Sequence, residues 1–241
     1  MSHILTLICS DIPLSIAHLE RLEKFVEENG LGLNGKPSWI EQHIAADLPV
    51  QNAPTIAQMK ELRALFAADH IDILCSNAAR RHKKLLLADM DSTIVTSETL
   101  DELAGRAGIK DKIAEITTRA MNGELDFHAA LRERVGLLKG LSVEALQHTL
   151  DETELCDGAA AMIAGLKTQG VKCVLVSGGF TFFTGAVAKQ TGFDHHHGNE
   201  LHHDGTALTG TVGEPILDKD SKLAFLKSYT ANLGLDLADT A

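Results

Sequence analysis

85-LLLADMDSTIV-95 sets four apolar residues in front of two aspartates one residue apart, Asp89 and Asp91, with Ser92 and Thr93 following. A short apolar run bounded by polar residues reads as a buried strand. Side chains at i and i+2 of an extended chain point the same way, so Asp89 and Asp91 face one site if that conformation continues past Ala88. In open parallel sheets, ligands bind at the carboxyl ends of the strands. Two carboxylates placed there repel each other unless a cation is near, and their hard oxygens suit Mg²⁺. The pair also reads as a polar strand end with Asp91 capping a helix, and by itself it does not choose between the two.

A second strong strand lies downstream in 171-VKCVLVSGG-179. It ends in Ser177, Gly178 and Gly179, and the helical pattern 180-FTFFTGAVAKQTG-192 starts directly after. A hydroxyl followed by residues without side chains leaves backbone N–H groups open to an anion, and a helix start adds its positive end. A tight strand-to-helix turn explains the same residues equally well. Together the two strand ends describe two carboxylates, a metal and a phosphate-binding turn, which is the equipment of phosphoryl transfer to an aspartate.

Between these strands, residues 97–150 carry almost no strand signal and read as helices, in SETLDELAGRAG, KDKIAEITTRAMNG, DFHAALRERVGLLKG and SVEALQHTLDE. A further helix, 159-AAAMIAGLKTQG-170, precedes the second strand, and 219-KDSKLAFLKSYTANLG-234 is the last. Apolar strands alternating with helices imply an α/β fold with a parallel sheet covered on both faces. Residues 1–80 form a separate small α+β pattern: strand HILTLICS, helix IAHLERLEKFVEENG, one short strand around SWIEQHIAA, helix TIAQMKELRALFAADH and strand IDILCS. The basic stretch 77-NAARRHKK-84 marks the boundary between the two.

The 241 residues are 44% hydrophobic and carry a formal net charge of −11. A chain this acidic, with no long basic run, is not built to neutralise nucleic-acid phosphates. No apolar run approaches the roughly 20 residues of a membrane helix. The N-terminus reads as a first strand and not as a signal peptide. Cys9, Cys75, Cys156 and Cys173 are far apart, form no metal-type pair, and fit reduced thiols in a cytoplasmic protein. Five histidines fall within 194-DHHHGNELHHDG-205. Three contiguous residues of a strand cannot face one centre, so the segment reads as a surface hairpin in preference to a metal site.

On these motifs the chain resembles the haloacid dehalogenase (HAD) superfamily of aspartate-nucleophile phosphatases, and within it the phosphoserine phosphatase subgroup. Asp89-Met90-Asp91-Ser92-Thr93 matches the first superfamily motif and Ser177-Gly178-Gly179-Phe180 the second. Lys222, in 214-EPILDKDSKLAFL-226, is the best match to the third-motif lysine, with Lys219 as the competing choice. Glu98 and the segment 120-AMNGELDFHAALRERVGLL-138 match the subgroup, with Met121, Phe127 and Arg134 at its substrate-facing positions.

The resemblance implies a Rossmann-like HAD core over 81–241 with a helical cap at about 97–157, preceded over 1–80 by a small ACT-like module. It implies Asp89 as nucleophile, Asp91 as general acid and base, and Mg²⁺ held by Asp89 and the Asp91 backbone carbonyl. Ser177, Gly178 and Lys222 would contact phosphate, Glu98 the substrate ammonium and Arg134 its carboxylate, while Met121 and Phe127 would exclude water. The implied reaction converts O-phospho-L-serine to L-serine and phosphate, the last step of serine biosynthesis. A homodimer and an amino-acid ligand on residues 1–80 are compatible with this reading.

Without the resemblance, Arg134 reads as a solvated helix residue, and Phe127 and Met121 as core. The superfamily's fourth motif, a Gly-Asp-Gly-x-x-Asn-Asp-type loop, does not occur in this sequence. Its strand would begin at 234-GLDLADTA-241, so an incomplete sequence is expected. Another small phosphomonoester as substrate, or a non-catalytic amino-acid sensor, are the competing readings.

Overall fold

The computed structural model describes residues 2–241. The chain forms two compact units, Met1–His82 and Lys83–Ala241.

The first unit runs β1 (His3–Cys9), α1 (Ile16–Glu28), β2 (Ser38–Glu41), β3 (Ala45–Val50), α2 (Ile56–Phe66) and β4 (Ile71–Asn77). Its antiparallel sheet has the order β2-β3-β1-β4. Alternate strand residues, among them Leu5, Leu7, Leu48 and Val50, pack against Leu22, Val26, Leu62 and Phe66 of the two helices. The Thr55 hydroxyl and the Gln58 side chain form a reciprocal cap at the start of α2.

Where one strand was expected around SWIEQHIAA, the chain makes two, β2 and β3, joined by a turn with His43 at φ 64°. The second strand, AADLPV, hid behind residue types that disfavour strands. It is nonetheless flanked by β1 and β2, with Pro49 opposite Ile4.

The second unit runs β5 (Leu85–Ala88), α3 (Thr99–Arg106), α4 (Lys110–Met121), α5 (Phe127–Leu137), α6 (Glu144–Glu152), α7 (Ala159–Thr168), β6 (Lys172–Phe180), α8 (Thr181–Thr191), β7 (His195–Asn199), β8 (Leu201–His203), β9 (Leu208–Val212) and α9 (Lys219–Asn232). Strands β5, β6 and β7 form a parallel sheet in that order, with β6 in the middle. The alternation of β6 divides the core. Cys173 and Leu175 join a cluster with Phe183 and Val187 of α8. Val174 and Val176 lie with Leu85 against Phe225, Leu226 and Tyr229 of α9. The unit is therefore α/β, with helices on both faces of the sheet, and α3–α6 are inserted between β5 and β6.

At the other edge of β5, Leu85 bridges Thr240 in parallel, the Leu87 N–H donates to the Ala241 carbonyl at 2.9 Å, and the Ala241 N–H donates to the Leu85 carbonyl at 2.9 Å. The segment in which the sequence places the start of a further strand thus reaches the edge of β5 opposite β6.

The histidine-rich segment corrects the sequence reading. Its second half does form an antiparallel hairpin, β8 with β9. Its first half, however, is β7, the third strand of the parallel sheet. The three histidines alternate as strand geometry requires. His196 lies beside Gly185 and bonds Thr184 of α8 through Nδ1 at 3.0 Å. On the α9 side, His197 stacks on Phe225 at 4.0 Å between ring centroids, and His195 lies 5.6 Å from Tyr229. Imidazoles behave here as flat, partly apolar rings, which a polarity pattern does not register. Among the described residues, no group of three or more His, Cys, Asp or Glu is arranged to hold an ion, and no helix is long and apolar enough to cross a membrane.

Candidate active site

Both strand ends meet at the carboxyl edge of the sheet. Asp89 follows the last residue of β5, and its Oδ1 accepts the Met90 N–H at 2.9 Å. Its Oδ2 accepts from Lys222 Nζ at 2.5 Å. Lys222 projects from the first turn of α9, and of the two candidate lysines it is the one that contacts Asp89. Lys219 instead lines an adjoining cavity.

Asp91 is held differently. Its Oδ1 accepts from the Thr99 N–H at 2.9 Å and the Thr99 hydroxyl at 2.8 Å, and its Oδ2 from the Ser177 hydroxyl at 3.0 Å. The two neighbouring carboxylates are thus relieved in two ways, Asp89 by a cation and Asp91 by three neutral donors.

Crowding requires a glycine at 179 and leaves little room at 178. A Cβ on Gly179 would lie 2.7 Å from Asp91 Oδ2, and one on Gly178 would lie 3.3 Å from Cζ of Phe127. The Gly179 N–H is not left open, because it donates to Ser177 Oγ at 2.8 Å. Thr181 opens α8 directly behind this turn, so the positive end of that helix faces the site.

Glu98 stands at the N-cap of α3, and its Oε1 accepts from the Ser92 hydroxyl at 2.7 Å. Ser92 holds a left-handed φ of 50°, a conformation that costs a non-glycine residue about 1–3 kcal/mol and tends to mark functional turns. Arg134 projects from α5 and donates through Nε to the Ala130 carbonyl at 3.3 Å. Burial pulls its pKa below the usual arginine value, while the nearby Asp101 and Glu98 carboxylates act in the opposite direction.

Asp89, Asp91, Glu98, Phe127, Arg134, Ser177, Gly178 and Lys222 all line one cavity of about 230 Å³, together with Thr99. Met121 does not. As the last residue of α4 it is 84% exposed and lies outside the cavity wall.

A haloacid dehalogenase-like hydrolase family model matches residues 86–241. The chain belongs to that family. It is 41% identical over 155 residues to a phosphoserine phosphatase of Archaeoglobus fulgidus, a match covering 64% of this chain and 45% of that one. The chain spans about half the length of this and other curated relatives, with 60% and 42% covered in those from Schizosaccharomyces pombe and Streptomyces coelicolor. Among solved structures, a HAD family hydrolase from Salmonella enterica serovar Typhi matches with a TM-score of 0.83 at 25% identity, covering all of this chain and 82% of the other. A phosphoserine phosphatase captured as a phospho-aspartyl intermediate analogue matches at 38% identity with a TM-score of 0.60, covering 66% and 76%.

Three residues at or beside the cavity escaped the sequence reading. Thr99 is 1% exposed and holds Asp91, and a Thr at a helix start is its only sequence signal. Asn199, also 1% exposed, donates to the Gly178 carbonyl at 2.8 Å and accepts the Leu217 N–H at 2.8 Å. It joins the second motif to the segment leading into α9, and nothing in the sequence foretells this. Asp218 caps α9, and the Asp-x-x-Ser spacing to Ser221 could have revealed it.

The donor chemistry fits Mg²⁺. The Asp89 carboxylate and the Asp91 backbone carbonyl are hard oxygens, and each Asp89 side-chain oxygen accepts one hydrogen bond, which leaves it a lone pair for an ion. Mg²⁺ is commonly held by one or two carboxylates plus water and substrate oxygens, without a protein cage.

Proposed function

We propose that this chain carries the catalytic core of a Mg²⁺-dependent phosphoserine phosphatase, which hydrolyses O-phospho-L-serine to L-serine and phosphate. The observation that carries the reading is the sharing of one cavity by the Asp89–Lys222 pair, Glu98 and Arg134. That set offers a nucleophile and a phosphate cation beside an anion for an ammonium and a planar fork for a carboxylate. The likeness to phosphoserine phosphatases, one held as a phospho-aspartyl analogue, supports it.

In this mechanism an Asp89 oxygen attacks phosphorus and the serine oxygen leaves with a proton from Asp91. Asp91 then takes a proton from the water that attacks phosphorus, which releases phosphate and restores Asp89. Lys222 and the Ser177–Gly178 turn stabilise charge on the transferring group. Phe127 stands over the second motif and excludes water. Bound through Asp89 and the Asp91 carbonyl, Mg²⁺ would offset the repulsion between nucleophile and phosphate.

We read residues 81–241 as this core, about 97–157 as its cap, and serine biosynthesis in the cytoplasm as its setting. We further read residues 1–80 as an ACT-like amino-acid-binding module, a reading supported by its β-α-β-β-α-β order. Calorimetry with L-serine tests that part, and absence of heat would remove it. For the catalytic reading, phosphate release from O-phospho-L-serine is measured for the intact protein and for Asp89→Asn. Asp89→Asn is expected to abolish turnover, and full activity in that variant overturns the assignment.

A further inference from the structure

We propose that Asp218 is a positioning residue whose carboxylate ties α5 to the first turn of α9, coupling the seating of α5 over the cavity to the approach of Lys222 to Asp89. The inference rests on the reading of Lys222 as the phosphate-contacting lysine.

The two oxygens of Asp218 serve different elements. Oδ1 accepts the N–H groups of Asp220 at 3.0 Å and Ser221 at 2.9 Å, and the Ser221 hydroxyl at 3.0 Å. It thereby fixes the helix turn from which Lys222 projects, and the Lys222 N–H closes that turn on the Asp218 carbonyl at 3.2 Å. Oδ2 lies 3.0 Å from Nε2 of His128 on α5. These hydrogen bonds, led by the Ser221 N–H, hold the Asp218 pKa down to about 2, against the opposing effect of burial.

His128 directly follows Phe127, whose ring closes on Gly178. One turn further along α5, Arg132 binds Glu214 through Nε at 3.1 Å and a terminal nitrogen at 2.6 Å. Glu214 Oε2 accepts the Ile216 N–H at 3.2 Å. The segment 214–218 is therefore gripped at both ends by one face of α5, because positions four apart on a helix are neighbours. A serine would cap α9 as well as an aspartate does. Its single oxygen, however, could not also reach α5, so the second oxygen of Asp218 is what capping alone leaves unexplained. Contacts this exposed add little net stability, so their importance lies in placement.

The test compares Asp218→Ser, Asp218→Ala, His128→Ala and the double variant Asp218→Ser/His128→Ala in the intact protein. Asp218→Ser is expected to keep the thermal midpoint of the parent while kcat on O-phospho-L-serine falls about tenfold, the scale of a modest misplacement of a catalytic group. His128→Ala is expected to match it, the double variant to lose no more than either single one, and Asp218→Ala to lose thermal stability as well. A fully active Asp218→Ser, or losses that multiply in the double variant, overturns the coupling.

Amide exchange supplies a readout independent of catalysis. Asp218→Ser should quicken exchange over residues 127–131, and His128→Ala over 219–223. Unchanged exchange in both variants overturns the coupling whatever the activity. Quickened exchange in a protein that does not hydrolyse phosphoserine leaves the coupling standing and removes the substrate reading.

Discussion

Asp91 and Gly179 form the tightest fit in the cavity. Any side chain at 179 would meet a carboxylate oxygen at 2.7 Å, the Ser177 hydroxyl at 3.1 Å and the Met90 methyl at 3.2 Å. The methyl group of Gly179→Ala must therefore push the Asp91 carboxylate off the Ser177 hydroxyl. With Asp91 in the proton-transfer role proposed above, its displacement by about an ångström is expected to lower kcat about a hundredfold. Circular dichroism should show the fold retained, because the displaced atoms line a cavity. Steady-state kinetics check this, and an Ala variant with parental kcat would mean that Asp91 tolerates displacement. The Asp89–Lys222 pair is a different case. Its side chains are 38% and 31% exposed, so solvent screens it and its importance lies in placement more than in stability.

At the scale of elements, the seat of α9 decides where Lys222 points. That helix lies against β7 through three ring contacts, His195 on Tyr229, His197 on Phe225 and His197 on Tyr229, with the His197 Nε2 to Tyr229 hydroxyl contact at 2.9 Å. Burial, followed by the neighbouring His196 and His195, lowers the pKa of His197 below its ordinary 6.5. The unfolded chain then binds a proton more readily than the folded one. This costs stability as pH falls through 6.5 towards the folded value, and the cost is absent above 6.5. The second unit is accordingly expected to be less stable to urea at pH 5.5 than at pH 7.5. His197→Phe, which keeps the stacking ring and removes the titration, should reduce that difference. An equal pH dependence in both proteins would assign the effect to other groups.

At the scale of the molecule, the chain builds two hydrophobic cores of different construction. The first is a one-sided antiparallel sheet under two helices, with Leu62 and Phe66 fully buried at its centre. The second is a parallel sheet sandwiched between α8 on one face and α9 on the other. Truncation of a fully buried leucine costs about 2–5 kcal/mol. Leu62→Ala is therefore expected to quicken amide exchange across β1, β3 and β4 while β5 and β6 keep their protection. Uniform loss of protection over both sheets would show that the two cores unfold as one.

The sequence by itself determined the strand that leads into Asp89, the strand that carries Ser177, and the helical block between them. Long apolar runs and the 3.6-residue period depend only on which side chains must leave water, so they are written in the chain. Glu98 and Arg134 were legible only through the family resemblance, which left Lys222 and Lys219 both open, since each is an ordinary polar residue until folding brings it to the cleft. What only the tertiary structure decided was partnership. AADLPV becomes a central strand because β1 and β2 supply hydrogen bonds on both sides, overriding poor local propensity. His195–Asn199 joins the parallel sheet because aromatic rings of α9 and the gap at Gly185 accept its imidazoles. Thr99, Asn199 and Asp218 acquire their roles from groups 8 to 90 residues away in the chain. No local pattern encodes such pairings, because a hydrogen bond between distant residues exists only once the packing of apolar faces has set their distance.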